Sequence, residues 1–239
     1  MSWPQDFNTN FQFLLRWLHF LGGITWIGML YFFNLVNPKF QKELDAALKP
    51  KVNPPLLTNT LFWFRWGAVL TWITGFIYLG ILAHLDNVDM LLVIFLIAWI
   101  IAFEVNSLVY KASVKGGALK DGRAVAVIVV IVVTVVSVLL ASYSRQQGAS
   151  SRSISILIGG GIGTVMFMNV WMIIWPLQKK IIAATKATAA SGAPAPAEMP
   201  QWARRAFLAS RTNSWLSIPM LFFMGAASHF PIFSVVTPK

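Results

Sequence analysis

The sequence predicts an all-α, polytopic membrane protein: one bundle of six transmembrane helices with both chain ends outside. Three observations predict it. The first is composition: 57% of the 239 residues are hydrophobic and 11% are charged, far from the balance of a soluble domain. The second is six long apolar stretches, roughly Phe13 to Val36, Leu61 to Ala83, Met90 to Tyr110, Ala124 to Tyr143, Ile154 to Leu177 and Asn213 to Phe233. Each is close to the about 20 residues a helix needs to cross about 30 Å of hydrocarbon. Helices are required because lipid offers no partner to a free backbone amide. The third is the charge of the loops, which alternates between strongly basic and nearly neutral.

In chain order, residues 1–12 form a short polar lead carrying Trp3 and Pro4. The first stretch starts close to Met1, but its length, Arg16 within it and the lack of a small-residue cleavage site mark a retained helix rather than a signal peptide. Loop 37–60 favours helix from Phe40 to Leu48, is broken by Pro50, Pro54 and Pro55, and is expected along the inner surface. Loop 112–123 turns at Gly116, Gly117 and Gly122. The fourth stretch is β-branched, which in water would hint at a strand. At this length and in this setting it reads as a lipid-facing helix whose strongest polar residues are Thr134 and Ser137. The Ala/Pro-rich segment 184–200 reads as a flexible linker before the last span. The spans use most of the chain, so 1–239 forms a single membrane domain.

Orientation follows from the basic residues. Lys39, Lys42, Lys49 and Lys51 follow the first span; Lys111, Lys115, Lys120 and Arg123 the third; Lys179, Lys180, Lys186, Arg204, Arg205 and Arg211 the fifth. The opposite loops carry only Asp86 and Asp89, then Arg145 and Arg152, with Lys239 at the end. The positive-inside bias puts the three basic loops in the cytoplasm. The localisation expected is therefore a bacterial inner membrane with periplasmic termini. The net charge of +11 is explained by topology and by anionic lipid, and nucleic acid is not an expected partner. There are no cysteines, which excludes disulfides, thiolate metal sites, iron–sulfur ligation and covalently attached c-type haem.

Three constellations could carry chemistry. His19 lies about two turns into the first span and His229 about one turn from the outer end of the sixth. At similar depth on different helices, they are candidate axial ligands of one b-type haem iron, or structural histidines held by hydrogen bonds. Gly22, Gly23 and Gly28 flatten the first helix for a macrocycle or for another helix. His84, at the outer mouth of the second span, reads as interfacial. Arg65 and Glu104 fall in the inner half of their helices, with Asn106 and Asn169 at neighbouring depth, and are expected to form a structural polar pair. Gly159 and Gly163 make a GxxxG face for helix packing, not a nucleotide loop. Of eleven tryptophans, Trp17, Trp63, Trp66, Trp175, Trp202 and Trp215 fit an interfacial belt.

RWLHFLGGITWIG (16–28), LFWFRWGAVLTWITGF (61–76), GGGIGTVMFMNVWMIIWPLQKKIIAA (159–184) and RTNSWLSIPMLFFMGAASHFP (211–231) resemble the N-terminal membrane region of bacterial membrane-bound urate oxidases. In that family the region is joined to a cytochrome c domain, which this chain lacks. The resemblance implies a membrane redox role beside a periplasmic cytochrome c, and carries over His19, His229, Arg65 and Asn169. Where the family has two histidines and an acid, this chain has Leu157, Thr212 and Gly67. That implies a subunit of a larger respiratory or photosynthetic complex, with other membrane proteins as partners, serving either in electron transfer or as a structural and assembly subunit. A stand-alone oxidase of urate or a porphyrin is the third reading. His19, Trp26 and Gly28 are also similar to the opening of haem-binding membrane protoporphyrinogen oxidases.

Overall fold

The computed structural model describes residues 6–234; Trp3, Pro4 and Lys239 lie outside them. Six helical rods run antiparallel. The first is α1 (Phe7–Tyr31), a π-helical turn (Phe32–Val36) and α2 (Asn37–Glu43). Then come α3 (Lys49–Leu85), α4 (Met90–Lys115), a 3-10 turn (Gly117–Lys120) and α5 (Gly122–Gln146). The fifth rod is α6 (Ser151–Met168), a second π turn (Asn169–Ile174) and α7 (Trp175–Ser191); the sixth is α8 (Met199–His229). No strand occurs among the described residues, and the β-branched fourth stretch forms the 25-residue α5. Three helices start on side-chain caps: Asp6 accepts from the Thr9 amide, Asp121 from that of Arg123 and Ser150 from that of Ser153. These satisfy amides that have no partner inside the helix.

Five rods are long and apolar enough to cross a membrane: Phe7–Glu43, Lys49–Leu85, Met90–Lys115, Gly122–Gln146 and Ser151–Ser191. α8 has the length, 31 residues, but not the apolarity to join them: Arg204, Arg205 and Arg211 lie in its first half, and Asn213, Ser214, Ser217, Pro219 and Ser228 dilute the second. It also stops at His229, short of the expected end at Phe233. Two other boundaries differ from the sequence reading. Pro50, Pro54 and Pro55 do not break loop 37–60: Pro50 is the second residue of α3, where a missing N–H costs little, and Pro54 and Pro55 lie inside its second turn, where the helix continues without their amide bonds. The alanine-rich start of segment 184–200 continues α7 to Ser191, and the helix ends at Gly192 with φ +71°, which only glycine adopts readily.

Both π turns precede a proline in the first turn of the next helix, Pro38 and Pro176. Proline cannot donate to the carbonyl four residues back, and its ring presses on that carbonyl. The wider π turn accommodates both effects.

The α6–α7 rod is the centre of the bundle: 78% of its most apolar window is buried, against 22–39% for the other four candidate spans. α3, α4, α5 and α8 pack around α6, and α1 lies mainly on α3. Lipid gives no hydrophobic drive between helices, so close packing must supply the attraction. At Gly161 the Trp99 indole occupies the space a side chain would need. At Gly67 an added Cβ would stand 3.0 Å from the Trp26 amide nitrogen and 3.2 Å from the Gly22 carbonyl oxygen. That contact sets the antiparallel register of α1 on α3, with His19 beside Gly75 and Phe33 edge-on to Phe64.

The two ends of the bundle differ. At one, the Ser150 amide donates to Asp86 Oδ2 (2.9 Å), the Phe233 amide donates to Ser151 Oγ (3.1 Å) and the Arg152 guanidinium donates to the Tyr78 hydroxyl. At the other, Gln41 and Asn53 exchange hydrogen bonds, Arg204 donates to the Lys120 carbonyl (2.6 Å), and Lys180 lies over the Trp202 ring. The three basic loops all gather at this second end. α3, at 37 residues, is about 55 Å long at about 1.5 Å per residue, so it overhangs a bilayer core of about 30 Å.

Candidate functional site: a glycine-walled cavity beside His19

α1 carries His19 against α3 at Gly75. An added Cβ there would fall 2.7 Å from His19 Cε1 and 3.0 Å from Nδ1, so only glycine leaves the imidazole its place. Nδ1 donates to the Thr71 carbonyl oxygen at 2.9 Å, with Thr74 Oγ1 at 3.4 Å. A carbonyl only accepts, so Nδ1 carries the proton, and in the neutral ring the lone pair lies at Nε2. A backbone carbonyl on the far nitrogen is the arrangement that orients a metal-binding histidine.

His19 lines a cavity of about 510 Å³ between α1, α3, α6 and α8, and so does His229. The size falls within the range of about 300–1,000 Å³ common for small-molecule sites. One wall carries Trp72 and Phe76, stacked 5.2 Å apart at 8°, and Phe167 stacks on Trp72 at 5.0 Å and 11°. Trp72 Nε1 is fixed by a hydrogen bond to Thr164 Oγ1 at 3.0 Å. Arg16 also lines the cavity.

The other walls combine aliphatic side chains with seven glycines, and the helix glycines fall into two classes. At Gly22, Gly67, Gly75, Gly159 and Gly161 an added Cβ would collide with or press on a neighbour. At Gly28 and Gly225 it would meet nothing within 4 Å, and at Gly23, Gly160 and Gly163 only side-chain atoms at 3.6–4.0 Å. All five of these line the cavity, whereas Gly80 and Gly122, which have comparable room, lie elsewhere. Helix glycine costs about 1 kcal/mol against alanine, and tight packing does not require these five. They leave open backbone on three of the helices that line the cavity, α1, α6 and α8.

His229 is exposed on the last turn of α8, at the cavity's edge. His84 lies apart, exposed, 3.4 Å from Asp89. Gly159 meets α8 closely, where an added Cβ would stand 3.2 Å from the Met220 carbonyl oxygen, whereas at Gly163 it would meet only Met220 Cγ, at 3.9 Å. The structure does not bring Arg65 and Glu104 together. α3 packs against α1, α6 and α7, and α4 against α5 and α6. Arg65 lies over the Trp175 ring, 3.8 Å from its centroid, while Glu104 is exposed on the outside of α4. Equal depth on two helices says nothing of the direction in which each side chain points.

A second polar group lies in the bundle interior. Asn169, the first residue of the second π turn, donates to Asn213 Oδ1 (2.8 Å), and Asn213 donates to the Met166 carbonyl oxygen (2.9 Å). The Tyr110 hydroxyl lies near Asn169 and Thr212 without hydrogen-bond geometry to either. Asn106, one turn before it, is fully buried with both amide atoms unpaired. Asn106 and Asn169 stood out in the sequence for their depth. Tyr110 and Asn213 did not, since they resemble ordinary residues near span ends.

Among the described residues no group of three or more His, Cys, Asp or Glu side chains gathers to hold a metal ion. No curated protein and no solved structure matches the chain. Residues 44–237 match the profile of the Urate oxidase N-terminal family. That stretch takes in α3 to α8, with the aromatic wall, glycine-rich α6 and His229; α1 and His19 stand outside it. With a match across most of its length, the chain belongs to the Urate oxidase N-terminal family.

Proposed function

We propose that this chain is a redox-associated subunit of a membrane complex whose cavity holds a flat lipophilic cofactor, a b-type haem ligated by His19. The observation that carries this reading is the pairing of five open glycines with an imidazole whose Nδ1 is already engaged. The glycines leave room along three of the lining helices, and His19 can offer Nε2 to it. His229, lining the same cavity, would be the second residue able to hold the iron. Arg16 is placed to meet an anionic substituent.

When bound, haem supplies one-electron transfer. The chain's own residues ligate the iron, hold the ring plane and exclude water from it. In this reading all six rods cross a bacterial inner membrane, α8 included. The basic loops face the cytoplasm, both termini face the periplasm, and a periplasmic cytochrome c exchanges electrons with the site. The test is a reduced-minus-oxidised absorption spectrum of protein purified with haem supplied. A b-type band is expected; His19→Ala abolishes it, His229→Ala abolishes or shifts it and His84→Ala leaves it. Absence of the band in the unmodified protein rejects the reading.

A structural subunit without pigment is the second reading, favoured by the broad apolar outer faces of α4 and α5. Stoichiometric co-purification with a colourless contribution from this chain would select it.

A further inference from the structure

We propose that the outer face of α4, centred on Glu104, docks against a transmembrane helix of another membrane protein that brings a cationic or amide side chain to the depth of Glu104. Val93, Ile97, Ile101 and Leu108 form an exposed apolar stripe along α4, and Glu104 lies in line with them at helical spacing. It stands about 21 Å from Met90 and about 16 Å from Lys115 along the axis, at about 1.5 Å per residue. Hydrocarbon therefore lies on both sides of it.

The apolar stretches contain two other charged side chains. Arg16 lines the cavity, and Arg65 is stacked on Trp175. Glu104 has no ion pair or hydrogen bond from this chain among the described residues. A carboxyl group facing lipid at such depth is costly, and acidic side chains in spans are met by polar groups. Lys111, the next charge along the stripe, is about 10 Å away along the axis, too far for a direct bond.

A second copy of this chain is a poor occupant. A twofold interface centred on Glu104 would set carboxyl against carboxyl, and the Arg65 guanidinium at similar depth is engaged by α7. The donor must come from a different protein. The face lies on the opposite side of α4 from Trp99, which packs on α6, so this inference stands or falls independently of the cavity.

Two measurements on the full chain test it. Dicyclohexylcarbodiimide, a carboxyl reagent that partitions into lipid, should label Glu104 in the purified chain and at least tenfold less in native membranes. A benzoyl-phenylalanine photo-crosslinker at Ile101 or Leu108 should join one membrane protein, within a turn of an Arg, Lys, His, Asn or Gln in its span. Glu104→Leu should weaken that association about tenfold, the scale of one interhelical hydrogen bond in lipid, while Glu104→Gln retains it. Because Glu104→Leu removes a polar group from a lipid-facing surface, the isolated variant should keep or raise its Tm. Equal labelling in membranes and in the pure chain would overturn the proposal. So would adducts with lipid only, adducts between two copies, or adducts indifferent to Glu104→Leu.

Discussion

An alanine at Gly67 would press its Cβ on the Trp26 amide nitrogen and the Gly22 carbonyl oxygen, neither of which is a flexible side-chain end. Gly67→Ala should force α1 from α3 and cost about 1–3 kcal/mol as overpacking, read as a lower Tm in detergent. Gly28→Ala meets open space and should hold or raise Tm, by up to about 1 kcal/mol of helix propensity. Gly28→Leu should keep the fold but block the cavity, so cofactor uptake falls while Tm does not. The sequence showed Gly22, Gly23 and Gly28 as one group; only distances to α3 separate the glycine that packs from those that leave room. The buried amides give a second residue-scale test. Asn213→Leu strips partners from the Asn169 amide and the Met166 carbonyl and should cost about 1–3 kcal/mol, the penalty of an orphaned buried polar group. Replacing Asn169 with Leu as well should recover part of that loss.

At the scale of elements, the turn between α3 and α4 is tied to the start of α6 through Asp86. Partial burial pushes its carboxyl up, but hydrogen bonds from the Ser153 side chain and from the Ser150 amide and hydroxyl outweigh this and hold it below its ordinary value. A lowered folded value means the contribution is complete above about pH 4 and is lost as pH falls through the lower folded value. Being largely solvated, the tie is worth well under about 1 kcal/mol. Asp86→Asn should therefore lower stability slightly and evenly above about pH 4, with the difference from the unmodified chain vanishing in acid, as pH-resolved melting would show. Element type was legible because about twenty mostly apolar residues in a stretch admit few structures. Element ends were less so. Pro50, Pro54 and Pro55 read as breakers when their place in the opening turns of α3 was unknown, and the alanine run before Ser191 has helix propensity that linker composition hides.

For the whole molecule, the alternation of basic and neutral loops foresaw which turns share an end, because charge on short loops is read out by position along the chain. Asp86, Ser150 and Ser151 do meet at one end, and Lys120 and Arg204 at the other. The natural chain has no cysteine, so single cysteines report sides cleanly. Ala149→Cys should react with a membrane-impermeant maleimide from the periplasm, and Ala118→Cys only after the membrane is opened. The reverse result would invert the orientation proposed above. What the sequence could not show was the central place of α6. Burial inside a bundle and exposure to lipid both select apolar side chains, so hydropathy alone does not rank six spans by depth in the assembly.

The bulge at Asn169–Ile174 also acts as an angular gear. One surplus residue advances everything beyond it by about 100° about the axis, and this phase brings the Trp175 ring under Arg65. Excising one outward residue, such as Met172, would let the rod close into a regular spiral with its Asn169 half unmoved. The α7 half would then swing round, stripping Arg65 of its indole and parting Lys180 from Trp202.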